Sequence, residues 1–242
     1  MKNRVNTINI VSLSNQNGYY LSVIKALIIN NHTKYLKELI LLLENLQIDC
    51  EIKDRSTFLY KKDISLEIPS LGEITVDIAY GGNFFLMVDI EPLKLEISRN
   101  TMQPMANLAS EILKVANRQI SVVHPENPDI TLLESLLYCE APKSEGAPHR
   151  LLDIYGDSIA DRSPCGTGTC ARMAREYSYD RLTPNQTFVH ESPVGAQFIC
   201  HFIKKTEIGG LPAIVPIISS KAYFISFSQL VVEDDDPFKY GY

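Results

Sequence analysis

The stretch from Asp161 to Ala174, DRSPCGTGTCARMA, constrains this chain more than any other. It sets a thiol, Cys165, directly before Gly-Thr-Gly-Thr, and those residues open into a helical pattern. Cys170, Met173, Ala174 and Tyr177 then recur at the i, i+3, i+4, i+7 spacing of a buried helix face. Cys165 is therefore expected beside a helix N-terminus, where two glycines let a ligand approach bare backbone. Unpaired N–H groups and the positive end of the helix dipole favour negative charge there. A thiol so placed is expected to have a lowered pKa, and the same N–H groups could hold a carboxylate or phosphate. In outline this is a nucleophile or base beside an anion cradle.

At 242 residues the chain can bury a substantial core, as one large domain or two smaller ones. A net charge of −6 with no basic cluster argues against nucleic-acid binding. Five cysteines, an odd number, do not resemble a secreted disulfide framework, so a reducing, cytoplasmic setting is expected. The apolar segment Leu21–Ile29 is broken by Lys25 and has no small-residue cleavage site after it, which argues against a signal peptide. No apolar run is long enough to span a membrane.

Residues 1 to about 50 carry no visible chemistry; Lys34–Leu46 reads as a core or docking helix. From Phe58 the pattern turns to strands: Ile64–Ile68, Glu73–Ala79 and Phe84–Ile90, with Tyr80-Gly81-Gly82-Asn83 as a hairpin. Thr101–Asn117 is a helix with Met105, Leu108, Ala109, Ile112, Leu113 and Ala116 on one stripe, capped by Ser98 or Thr101. Further strands are expected near Thr131–Cys139, Arg150–Tyr155, Thr187–Glu191, Ala196–Lys204, Ala213–Ile218 and Ala222–Val232. Many short strands around two helices make an α+β chain rather than a regular βαβ alternation.

At Asp161–Thr169 the sequence resembles the proline racemase family, which also contains hydroxyproline epimerases and a hydroxyproline dehydratase branch. The resemblance extends to Ser56–Leu59, to Val76–Phe84, and in order to His124-Pro125, Glu191-Ser192, Val215-Pro216 and Asp236-Pro237-Phe238. It covers roughly residues 55–242 and leaves 1–54 as a divergent or truncated N-terminal segment. It implies a diaminopimelate epimerase-like fold of two pseudo-symmetric lobes, each with a central helix, the N-terminal lobe shortened here. It also implies cofactor-independent and metal-free proton transfer at the α-carbon of proline or hydroxyproline, between a thiolate and a thiol on opposite faces. By position Cys165 is the second of those cysteines. Asp161 would accept hydrogen bonds from the substrate ammonium, the Gly166 and Thr167 amides would hold the carboxylate, and Tyr155 would wall the pocket.

The family's first cysteine lies in a Met-Cys-Gly-His type motif, which these 242 residues do not contain; Cys50 lacks the following Gly and His. One thiol can remove and return a proton on the same face but cannot invert configuration. Two readings follow: a racemase/epimerase whose second acid comes from elsewhere, or a degenerate, non-catalytic homologue that keeps half a pocket. A dehydratase is disfavoured, because in that branch a Thr typically stands where Cys165 is. A metal site built on Cys165 and Cys170 is disfavoured too, since their spacing is not C-x-x-C and His149, His190 and His201 are scattered. Cys139, Cys170 and Cys200 read as small core residues. An incomplete lobe would leave apolar surface exposed, and a homodimer is one way to cover it.

Overall fold

The computed structural model describes residues 6–15, 20–23, 47–50, 56–144, 146–232 and 235–237. The chain forms two compact units, residues 1–48 with 221–242, and residues 49–220. The helix expected over Lys34–Leu46 lies outside the described residues. In the first unit β1 (Asn6–Asn15) pairs antiparallel with β2 (Tyr20–Val23) and with the distal half of β12 (Leu211–Val232). Two separate strands were expected over that last range. No glycine or proline interrupts Ile217–Val232, so nothing in the backbone ends the strand and it runs on for 22 residues.

The second unit holds the strands β4 (Thr57–Ile68), β5 (Gly72–Tyr80), β6 (Phe84–Asp89), β7 (Ser135–Glu140), β8 (His149–Tyr155), β10 (Phe188–Glu191) and β11 (Gln197–Ile208), with the proximal half of β12. The short strands β3 (Gln47–Cys50) and β9 (Ile159–Ala160) stand off this path. The order β4-β5-β6-β7-β8-β10-β11-β12 returns to β4 through Ala213 opposite Phe58 and Ile214 opposite Thr57, so the eight strands close into a ring. Two of the eight pairings are parallel, β6 with β7 and β8 with β10. A parallel pair needs a long crossover, and the two crossovers contain the two helices, α1 (Met102–Gln119) and α2 (Gly166–Ser178).

Alternation along the strands assigns each helix a side of the ring. Leu86, Val88, Leu136, Tyr138, Leu152 and Ile154 form one cluster with the α1 residues Met105, Ala109, Ile112 and Ala116. Their neighbours Phe85, Met87, Leu137, Cys139 and Leu151 face the other way and pack with Cys165 and Ala171. The opposite flank of α2, Cys170, Met173 and Ala174, meets Phe188, Phe198, Cys200, Phe202, Ile214 and Ile218 from β10, β11 and β12. Strands therefore touch α2 on both flanks, and ten of its thirteen residues are buried. The one-sided apolar stripe expected for this helix understates its burial. At α1, Thr101 occupies the N-cap position, but its hydroxyl turns back to the Glu96 carbonyl and makes no side-chain cap.

Enclosure of α2 imposes two requirements. Polar residues on it must be paired: Arg175 binds Asp89 through two bonds of 2.7 and 2.6 Å and reaches Asp77 on β5, while Glu176 forms ion pairs with Arg172 and Arg181 at 2.7 Å each. Burial pushes the Asp89 carboxyl up, but Arg175, with Arg172 and Arg181, carries it below its usual value. Close approach must also be possible. A Cβ on Gly81, in the β5–β6 hairpin, would stand 2.1 Å from the Thr167 carbonyl oxygen and 2.5 Å from the Ala171 nitrogen. The hairpin expected here is present, and its first glycine is where strand and helix backbones meet.

Gly81→Ala is expected to cost at least about 2 kcal/mol through overpacking against backbone, a fall of about 4–8 °C in Tm at this chain length. Arg175→Met should cost about 3–5 kcal/mol by stranding Asp77 and Asp89, measurable by urea unfolding. A carboxyl held below its usual value stabilises above about pH 4 and loses that contribution as the pH falls further. The Arg175→Met deficit should therefore shrink in acid.

Candidate active site

The N-terminal end of α2 gathers the residues singled out in the sequence. β8 ends at Tyr155, the Gly156–Ser158 turn reverses the chain, and β9 pairs back with Ile154 opposite Ala160. The Asp161 N–H then donates to the Asp153 carbonyl at 2.9 Å, which sets the two aspartates side by side. Both Asp161 oxygens are engaged by Ser163, by its N–H at 2.8 Å and its hydroxyl at 2.7 Å. The Ser163 hydroxyl oxygen in turn accepts the Cys165 N–H at 3.1 Å.

Cys165 is the N-cap of α2 and has a φ of 50°, a left-handed conformation that costs a non-glycine residue about 1–3 kcal/mol. Its surroundings over-determine it: the Ser163 hydroxyl holds its nitrogen, and the Thr169 N–H holds its carbonyl at 2.8 Å. The Gly168 N–H donates to Sγ at 3.3 Å, and the Thr167 hydroxyl lies 3.7 Å from it. A Cβ on Gly168 would stand 3.0 Å from Sγ, so this glycine makes room for the sulfur. With the Gly168 and Thr169 N–H groups so used, Gly166 and Thr167 present the remaining N–H groups of the first turn.

Behind the loop, the Thr169 hydroxyl donates to the Pro164 carbonyl at 2.8 Å and lies 2.7 Å from His190 Nδ1. A hydroxyl that has given its proton to Pro164 must accept from the ring, so His190 is the neutral Nδ1–H tautomer. Burial, with Arg172 nearby, holds that ring well below its usual pKa.

Sγ of Cys165 and carboxylate oxygens of Asp153 and Asp161 all lie within 4.8 Å of one another. Cys165 is 6 % exposed and Asp153 is 3 % exposed. Tyr155, on the same strand face as Asp153, stands at the rim and is 41 % exposed. Its phenol is pushed up by burial and then by Asp161, Asp153 and Cys165. The same three donor atoms are the one grouping of metal-binding types among the described residues. Ser163 donates to both Asp161 oxygens and so fixes that carboxylate, which keeps lone pairs for a further donor.

The electrostatics correct one expectation. The Cys165 thiol is pushed well above its usual pKa, by burial first, then by the charge of Asp153 and a hydrogen bond to it, with only the Gly168 N–H opposing. A helix end contributes up to about 2 kcal/mol in partly buried sites. Full burial moves a group by about 3–5 pK units, each worth about 1.4 kcal/mol. Burial wins. Asp153 is raised to about 7 by burial, with the thiol as donor pulling the other way, and burial also raises Asp161 against its bonds from Ser163.

The family model described as proline racemase matches residues 44–242. The chain belongs to the proline racemase family. A 4-hydroxyproline 2-epimerase of Spirosoma linguale is 38 % identical over 192 residues, 79 % of this chain and 58 % of that protein. A trans-3-hydroxy-L-proline dehydratase of Azospirillum brasilense is 34 % identical over 186 residues, 77 % of this chain and 56 % of its own length. A crystal structure of a hydroxyproline epimerase from Agrobacterium vitis with bound trans-4-hydroxy-L-proline superposes with a TM-score of 0.68 at 28 % identity, over 76 % of this chain and 52 % of that one. The chain thus spans a little over half the length of these relatives. Its fold is the α+β, diaminopimelate epimerase-like fold of the proline racemases.

Of the residues expected at the site, Cys165 and Asp161 are brought together, Gly166 and Thr167 begin the helix beside them, and Tyr155 stands at the edge. Asp153, Ser163 and His190 were not anticipated. Asp153 was detectable, as a polar residue on the inward alternation of the apolar strand Leu151–Tyr155; His190 comes from β10 and carries no local signal. Ser163→Ala should cost about 1–3 kcal/mol, since it strips a donor from Asp161 and the acceptor of the Cys165 N–H together, to be read by urea unfolding.

Proposed function

We propose that this chain acts at the α-carbon of proline or hydroxyproline, as a cofactor-independent racemase or epimerase that moves the proton through Cys165. The reading is carried by one observation: a thiol and two carboxylates converge on a helix N-terminus in a chain of this family. An α-amino acid brings an ammonium, which the acidic pair lacks, and a carboxylate, which suits the free N–H groups of Gly166 and Thr167. Removing the α-proton drives charge into that carboxylate, where donors already in place stabilise it most. In this scheme Asp161 orients the ammonium, Cys165 is the base, and Tyr155 borders the ring. The ammonium beside Asp161 also offsets the negative charge that holds the thiol protonated, so substrate entry favours the thiolate.

Among the described residues no helix is long and apolar enough to cross a membrane. Cys139, Cys165, Cys170 and Cys200 are free thiols. A reducing cytoplasm is the setting in which such a base persists.

A second reading is a half-pocket that binds an imino acid without turning it over, in which the thiol at Cys165 works with no partner acid on the opposite face. Incubation with L-proline and with trans-4-hydroxy-L-proline in deuterated water separates the two. Uptake of deuterium with inversion is expected of the racemase or epimerase, uptake with retention of a one-thiol site, and no uptake of the half-pocket. Cys165→Ser should lower uptake by roughly 10²–10⁴-fold. Uptake near the wild-type rate in that variant would remove Cys165 as the base.

A further inference from the structure

The proposed chemistry leaves one buried titratable group without a task. Asp153 is 3 % exposed, its Oδ1 has no hydrogen-bond partner, and no ion pair reaches it among the described residues. An isolated buried carboxylate is costly unless something compensates it. The group facing it is the Cys165 thiol, itself buried and with a sulfur within 4.8 Å of its carboxyl. The other charged or titratable groups around the pair are few. Asp161 follows β9, exposed Arg162 adjoins it, and Tyr155 lies further along β8. The inner faces of β5, β6 and β7 offer Ala79, Phe85, Leu137 and the buried thiol Cys139. His190, neutral, stands behind Thr169.

We propose that Asp153 shares one proton with Cys165 and is the internal acceptor that converts this thiol to a thiolate. Asp153 acts through Cys165 and need not touch the ligand. In the free protein above about pH 7 the proton rests on sulfur and Asp153 carries the charge. When an α-ammonium enters beside Asp161, the S–H bond breaks, an O–H bond forms on Asp153, and the negative charge moves to Sγ. There the Gly168 N–H, the helix end and the ammonium stabilise it. The net charge of the pair does not change, so no proton has to be expelled to solvent from a buried site.

This inference rests on the reading of Cys165 as the base and adds one consequence to it. The thiolate takes the α-proton as the C–H bond breaks and its electron pair passes into the substrate carboxylate. Two protons are then present on the same face, the substrate's on sulfur and a solvent-derived one on Asp153. Their interchange lets one thiol return a solvent isotope to the face it deprotonated, so exchange with retention needs no second cysteine.

The test measures the pH dependence of iodoacetamide labelling at Cys165, followed by peptide mass spectrometry, in the wild type and in Asp153→Asn without substrate. The wild-type midpoint should lie above the ordinary thiol value of about 8.5. Asp153→Asn removes the negative charge and should lower that midpoint by about one pH unit or more, making labelling at pH 8 faster. Loss of the acceptor should slow α-proton exchange with L-proline at least about tenfold in the same variant. A more reactive thiol in a slower protein is a combination that a purely structural role for Asp153 does not produce. An unchanged midpoint, or exchange that rises with the thiolate fraction, would overturn the proposal. Should the variant not fold, a wild-type midpoint at or below the ordinary thiol value overturns it as well. Absence of exchange in the wild type would instead count against the catalytic reading, with the shared proton still decided by the midpoint shift.

Discussion

The enclosure of α2 by eight strands is the constraint on which the rest of this structure depends. A helix inside a ring has little solvent face, so its buried residues must be apolar, small or paired. That requirement accounts for the bare backbone at Gly81 and for the salt bridges from Arg172, Arg175 and Glu176. It also accounts for strands that read as nearly continuous apolar runs. Their two faces serve two different helices, α1 on one side and α2 on the other, so neither face can be polar.

The same enclosure sets the chemistry. A helix N-terminus at a surface would favour a thiolate. Here the thiol is buried with two carboxylates, and desolvation outweighs the dipole. A thiol so placed stays protonated until a positive charge offsets the two carboxylates. The left-handed backbone at Cys165, held by Ser163, Gly168 and Thr169, fixes the sulfur where carboxylates and helix end meet, so its ionisation is governed by these neighbours and not by bulk water.

Much of this was legible in the sequence. The Asp161–Ala174 stretch located the helix, its cap and the thiol, because glycine spacing and helical periodicity are local signals. Both helices and most strands followed from alternation and turn residues. What could not be read was non-local. Ring closure depends on two residue pairs joining β4 to β12, 155 positions apart at Phe58 and Ala213. Without closure the inward burial of Arg172 and Arg175 is invisible. The raised thiol pKa is hidden for the same reason: a helix end can be inferred from spacing, but the burial that opposes it comes from strands distant in sequence.

The two ends of α2 differ in a way that points to the ligand. Toward the C-terminal end, acid and base are matched, with Arg172, Arg175 and Arg181 set against Asp77, Asp89 and Glu176. At the N-terminal end, two carboxylates and a thiol meet one exposed arginine, Arg162, and no buried cation among the described residues. A fold that pairs its buried charges so completely at one end has not run out of means to do so at the other. The missing positive charge is best understood as one the ligand brings. In the proposed scheme a zwitterionic imino acid would supply it beside Asp161 with its carboxylate toward the helix end, and that cation would be what makes the thiolate accessible.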